Sequence, residues 1–151
     1  MHFLYQTIKD ILNAGEVGVP VFVRCLVQVI PNNNSLIDLL GKLLMMAGSW
    51  MDTIPIKVYV QQRNIQVNAS VLYTGGQTAI VSVNTAMGVS PKLDLMMIGN
   101  KGALYHDGTE MPPGFDFSFD HLIVPDWLMD AMERSIDNGR PEVIEEVRNF
   151  D

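Results

Sequence analysis

The chain has 151 residues, of which 48% are hydrophobic and only 18% charged, with a net charge of −7 and a single cysteine, Cys25. That length suits one domain, and the low charged share excludes a disordered chain and points to a large core, or to a core plus an apolar interface. The acidic balance without any basic cluster excludes nucleic acid and anionic membranes as partners, and one cysteine excludes an internal disulfide and a cysteine-rich metal site.

Phe3, Leu4, Ile8, Ile11 and Leu12 recur at helical spacing and predict a helix over 3–14, with Gly15 as its stop. Lys9 and Asp10 interrupt that segment, so it reads neither as a signal peptide nor as a membrane span, and a cytoplasmic location is expected. Pro20 leads into an extended run through Ile30, with Val23, Cys25, Val27 and Val29 on one face and Arg24 and Gln28 on the other. Pro31 and Asn32 to Asn34 break it, and one of the asparagines or Ser35 caps a helix running from Leu36 to Ala47, which Gly48 ends.

From there to residue 106 the pattern is β, with strands expected over 54–61, 65–73, 77–87, 92–99 and 103–106. Arg63-Asn64, Gly75-Gly76 and Asn100-Lys101-Gly102 mark hairpins, the last with a left-handed position foreseen at Gly102. After a loop containing Pro112, Pro113 and Gly114 comes a helix over about 125–138, closed by Gly139 and Pro141. Residues 141–151 are expected to fray or to add a helical turn. Neither an internal repeat nor a low-complexity linker is present, so one domain over 1–151 is the expectation, and its start at Met1 suggests a native product. The ten methionines are assigned first to the core and second to an adaptable contact surface. The fold class is α+β: an open, mostly antiparallel sheet with helices packed on one face.

Three phrases in this order carry a resemblance. Asn13-Ala14-Gly15-Glu16-Val17-Gly18-Val19-Pro20 looks like a helix end feeding a strand, Met97 to Leu104 holds the Gly-Asn-Lys-Gly hairpin, and Asn138-Gly139-Arg140-Pro141 closes the last long helix. Together, over roughly residues 7–141, they resemble the C-terminal domain of the Gfo/Idh/MocA oxidoreductases, the glucose–fructose oxidoreductase and inositol dehydrogenase relatives. The resemblance implies an open-sheet α+β domain whose exposed face packs against another subunit. It also implies a dinucleotide-binding domain elsewhere, because this sequence has no G-x-G-x-x-G turn to receive a pyrophosphate. The family's catalytic histidine falls on Ser35, and only the final aspartate of that motif persists, as Asp38. A serine hydroxyl cannot replace imidazole as a proton shuttle near neutrality.

The candidate site residues are accordingly few. Asp38 is weighed as a retained substrate carboxylate against a solvated helix residue, Ser35 as a nucleophile against a helix cap, and the cap is preferred. His106, beside Asp107, is considered with Asp94 or Asp116, and a local group of His106, Asp107, Asp116, Asp120 and His121 is the nearest approach to a metal set. Arg24 and Lys57, with Asp38, are the substrate-binding candidates for a small polar ligand. No cofactor is expected on this chain, and NAD(P) only on a partner subunit. The expected partners are a second copy, through the sheet face supplied by Val58, Val60, Val67, Ala69, Val71, Ala79, Val81, Val83, Leu93, Leu95 and Met97, or a separate Rossmann-type subunit. Three functions stand open: a non-catalytic binding or oligomerisation module, the substrate subunit of a split NAD(P)-dependent oxidoreductase acting on a sugar- or polyol-like substrate, and a cofactor-free isomerase or hydrolase.

Overall fold

A computed structural model describes residues 2–31, 35–88, 91–108 and 122–144. The elements follow in the order α1 (His2–Asn13), β1 (Pro20–Val29), α2 (Leu36–Trp50), β2 (Pro55–Arg63), β3 (Gln66–Tyr73), β4 (Thr78–Thr85), β5 (Lys92–Gly99), β6 (Ala103–His106), α3 (Asp126–Asn138) and β7 (Glu142–Val143). The strands form one sheet in the order β6-β5-β1-β4-β3-β2-β7. The three hairpins read from the sequence are all present, as β2–β3, β3–β4 and β5–β6. Local patterning does not reveal the central pairing: β1 enters the sheet between β5 and β4 and runs parallel to β4. Among the described residues, no helix is long and apolar enough to cross a membrane.

Alternation along the strands separates two faces, and helices cover one of them. Val23, Cys25 and Val27 of β1, Val81 and Val83 of β4, and Leu93, Leu95 and Met97 of β5 are all buried in one core with Leu40, Leu43, Leu44 and Ala47 of α2 and Leu128, Ala131 and Met132 of α3. This corrects the expected interface. Val58, Val60, Val67, Ala69, Val71, Ala79, Val81, Val83, Leu93, Leu95 and Met97 are the helix-covered core and not the open surface. The more uniformly apolar face buries more hydrocarbon per helix and therefore takes the helices.

α2 begins at Ser35, whose Oγ accepts from the Asp38 N–H at 3.4 Å, and runs past Gly48 to Trp50. Gly48 does not end the helix, because it serves a close approach. A Cβ there would lie 2.8 Å from the Thr53 carbonyl oxygen and 3.1 Å from the Tyr73 ring. The Tyr73 hydroxyl in turn donates to the Leu44 carbonyl at 3.0 Å, so that buried phenol is satisfied. α1 leans on the far end of α2 through Tyr5, which stacks on Trp50 with ring centroids 6.2 Å apart and accepts from the Ser49 hydroxyl at 3.1 Å.

Two glycine-centred phrases that are eighty residues apart in the chain turn out to be one contact. Lys101 N–H donates to the Val17 carbonyl at 3.0 Å, Asn100 N–H to the Val19 carbonyl at 3.1 Å, and Asn100 Oδ1 accepts from the Val19 N–H at 2.8 Å. Gly18, at φ 76°, leaves room for the Asn100 and Lys101 side chains, and a Cβ on Gly99 would sit 2.3 Å from the Val17 carbonyl oxygen. Gly102 is not left-handed, as had been foreseen; it lets the backbone of Glu16 pass at 3.0 Å from where its Cβ would be. In the Gly75-Gly76 turn, Gly76 alone takes a positive φ, at 83°.

The end of the described chain is neither frayed nor helical. Glu142 and Val143 pair with β2 as a short edge strand, and Asn138, Arg140 and Arg134 hold the Glu142 carboxyl below the usual carboxylate range. Beyond that short strand, the edge of β2 is closed by a side chain. Buried Ser135 accepts from the Val60 N–H at 2.9 Å and donates to the Arg140 carbonyl at 2.7 Å. Ser135→Ala is expected to leave a buried N–H unpaired and cost about 1–3 kcal/mol in urea unfolding. Gly99→Ala is expected to cost a similar amount, about 1–3 kcal/mol, because the obstructing atom belongs to backbone that must move. Ser135→Gly, which loses the same hydroxyl, should match the alanine variant to within the effect of helix propensity, about 1 kcal/mol.

Candidate functional site

The uncovered face of the sheet can be laid out as rows, because strand register is known across five strands. The first row reads Ile98, Phe22, Thr78, Leu72 and Lys57, and the second Met96, Arg24, Ile80, Ser70 and Tyr59, with Tyr105 beside Met96. The third row reads Asp94, Leu26, Ser82, Asn68 and Gln61, and the fourth Lys92, Gln28, Asn84, Gln66 and Arg63. One half of the face is thus mostly apolar and the other is amide-rich. Isolated exposed hydrophobic residues are ordinary. Here Ile98, Leu72, Ile80 and Tyr105, at 39%, 36%, 43% and 60% exposure, lie in two adjoining rows.

Each half carries a shallow depression. The apolar one, of about 410 Å³, is lined by Phe22, Lys57, Tyr59, Leu72, Ile80 and Pro141 among others. The polar one, of about 400 Å³, is lined by Leu26, Gln28, Gln66, Ser82, Asn84, Lys92 and Asp94. Ser82, Asn68 and Gln66 hydrogen-bond one another across β3 and β4, and Asp94 accepts from the Gly108 N–H at 3.1 Å.

The sequence-derived candidates do not converge. Arg24 and Lys57 share the open face, but β4 and β3 intervene and the two strands stand three spacings apart, roughly 14 Å. One small anion therefore cannot bridge both. Asp38 in α2 and Ser35 at its N-cap are on the other side of the sheet, where Asp38 pairs with Lys42 at 3.2 Å. His106 is opposite Leu95 in register and faces the helix side, whereas Asp94 faces the open side. Asp116, Asp120 and His121 lie outside the described residues, and no group of three or more metal-ligating side chains occurs among those described.

Two further groups bear on reactivity. Burial pushes the Cys25 thiol up to about 12, with the nearby Asp94 charge adding to the effect. Burial also pushes Tyr5 up, but hydrogen bonds from Lys9 and Ser49 together with the Lys9 charge carry it below its ordinary value. The sequence reading missed Phe22, Tyr59, Leu72, Ile80 and Met96 as surface residues. Their signal was the hydrophobic side chains interrupting the otherwise polar side of each strand.

Myo-inositol dehydrogenase from Corynebacterium glutamicum superposes with a TM-score of 0.71 at 14% identity, over 95% of this chain and 62% of that one. Scyllo-inositol dehydrogenase from Lactobacillus casei, with bound NAD(H) and scyllo-inositol, gives 0.71 at 11% identity, over 93% and 61%. Myo-inositol dehydrogenase from Lactobacillus casei, in complex with NAD(H) and myo-inositol, gives 0.71 at 12% identity, over 95% and 59%. The resemblance to the Gfo/Idh/MocA oxidoreductases holds at the level of the fold. The chain spans about three fifths of the length of these structures. No protein-family model matches the sequence, and no curated protein does.

Native Cys25 should resist aromatic disulfide reagents at pH 8 and react only as fast as the fold opens, a rate that rises with urea. The pH dependence follows from the same burial. The folded chain keeps the Cys25 proton, and the Tyr73 proton likewise, over a range where the unfolded chain releases them. Stability from these groups is whole below the ordinary thiol range and falls as pH climbs from there toward about 12. Chemical denaturation between pH 7 and 10.5 measures the slope. Ser35→Ala should cost about 0.5–2 kcal/mol through loss of the helix cap.

Proposed function

We propose that this chain is a binding module that docks another protein on the open face of its sheet and performs no hydride transfer by itself. The supporting observation is the contiguous apolar half of that face, where Phe22, Tyr59, Leu72, Ile80, Met96 and Ile98 adjoin across five strands. From strand spacing and rise, the face from β6 to β2 measures roughly 24 by 20 Å. That is roughly 480 Å² in projection, more than half of the ~800 Å² of accessible surface that a standard interface buries on each partner. Its apolar half, roughly 240 Å², gathers hydrophobic side chains in adjoining rows instead of scattering them singly, which favours an interaction surface. Among the described residues, the side chains that would otherwise supply chemistry are dispersed over two faces of the sheet, which favours docking over catalysis.

A second reading follows from the structural neighbours, two of which hold NAD(H) and an inositol. In it, a partner subunit brings NAD(P) and this chain shapes a pocket for a sugar- or polyol-like substrate near the start of α2, where Ser35 and Asp38 stand. Under that reading, activity with a polyol appears only in a mixture with the cofactor-binding subunit. Tight binding of NAD(P)H by the isolated chain contradicts both readings.

The docking reading is checked with Ile80→Glu, which places a carboxylate at the centre of the apolar half without touching the covered core. In extract of its own cells, the tagged wild-type chain is expected to elute from size exclusion well above the mass of a monomer. The Ile80→Glu chain, folded by circular dichroism, is expected at the monomer position. Identical elution of the two chains would overturn the docking reading.

A further inference from the structure

We propose that Asn138 is a site of spontaneous deamidation, where hydrolysis of the side-chain amide releases β7 and reopens the edge of β2. Asn138-Gly139 is the one Asn-Gly pair in the chain. Glycine has no Cβ, so it presents the least hindered backbone nitrogen to the side chain before it and the freest backbone for ring closure. Asn138 is exposed at the last position of α3, and Gly139 follows in the left-handed conformation at φ 65°.

In the closed fold both reacting groups are held. The Gly139 N–H donates to the Ser135 carbonyl at 2.9 Å, and Asn138 Nδ2 donates to Glu142 Oε1 at 2.8 Å. Glu142 is kept in place by Arg140 at 3.3 Å and by the pairing of β7 with Lys57 and Val58. This lock is short, since β7 has two residues, and such edge segments open locally far more readily than the core. When β7 opens and the last turn of α3 frays, the Gly139 nitrogen gives its proton to water and attacks Asn138 Cγ. The new C–N bond closes an imide ring, the Cγ–Nδ2 bond breaks and ammonia leaves. Water then adds to one of the two imide carbonyls and leaves aspartate or isoaspartate at 138. Water is the only co-reactant.

Neither product can restore the lock. A carboxylate has no N–H to give to Glu142, and it sets a second anion at hydrogen-bond distance from the first. It also places negative charge at the C-terminal end of α3, where the helix dipole opposes it. Isoaspartate lengthens the backbone by one carbon as well, which displaces Arg140. The Arg140 carbonyl accepts from Ser135 Oγ, and Ser135 Oγ accepts from the Val60 N–H. One hydrolysis is thereby passed to the edge of β2, and a bare strand edge invites pairing with another chain.

The test follows conversion at Asn138 by peptide mapping and mass in the full chain at pH 8, folded and in urea. The expected result is conversion at least tenfold slower in the folded wild type than in urea. Glu142→Ala, folded by circular dichroism, should convert at least threefold faster than wild type. Asn138→Asp reads the consequence by hydrogen exchange. The Val60 amide and the Ile144 amide, which donates to the Ile56 carbonyl, should exchange at least tenfold faster, while the amide of Val81 in mid-sheet keeps its protection. Conversion at equal rates in wild type and Glu142→Ala, or in folded and unfolded wild type, would overturn the proposal. So would Asn138→Asp with Val60 and Ile144 as protected as before, or with Val81 exposed along with them.

Discussion

One packing constraint organises this protein: alternate residues of five strands must lie under two helices that are too narrow to cover both sides of the sheet. Val23, Val27, Val60, Val67, Val81 and Leu95 fill one face at almost zero exposure, pressed against Leu40, Leu44, Leu128 and Met132. Gly41 and Gly48 allow the approach, the first by admitting Val124 and Met132 against α2 and the second by admitting the Tyr73 ring. Every residue next to a buried one along a strand is thereby turned toward the opposite side. The composition of the open face follows from the pleat once the covered face is assigned.

A second constraint holds the central strand in place. β1 has to enter between β5 and β4, and its entry is set by the contact of residues 17–19 with Asn100 and Lys101. Glycines on both sides make that contact possible, Gly18 through its left-handed backbone and Gly99 through the absence of a Cβ. Two of the three phrases that suggested a family resemblance are therefore the two halves of a backbone clasp. Their shared presence is a requirement of the fold and carries no information about substrate or cofactor. The likeness to the inositol dehydrogenase structures, at 11–14% identity, is accordingly a likeness of fold.

Charge and hydrophobicity act together on the open face. Apolar side chains fill most of its first two rows, and Arg24, Lys57, Arg63 and Lys92 stand among and beyond them. Arg24, held between Ile80 and Met96, joins the two properties in one row of the sheet. The amide-rich rows beyond it, with Ser82, Asn68 and Gln66 already engaged with one another, form a polar border to the apolar rows.

Much of this was legible in the residues themselves. Period-two alternation, paired glycines and the Ser35 cap marked the strands, hairpins and helix start close to where they stand, because each depends on chemistry local to a few residues. The α+β class and the open, mostly antiparallel sheet followed from the same local signals. The parallel neighbour of β1, the continuation of α2 through Gly48, and the role of Ser135 in closing the edge of β2 depend on partners distant in the chain. Alternation alone distinguishes two faces of a strand and leaves open which one the helices take, so the core valines were first assigned to the interface. The sequence by itself determined the elements, the turn chemistry and the anionic character of the chain. Only the tertiary structure decided which face is covered, because that choice depends on where the helices return against the sheet. It also set Arg24 apart from Asp38 and His106, since opposite sides of one sheet cannot share a ligand.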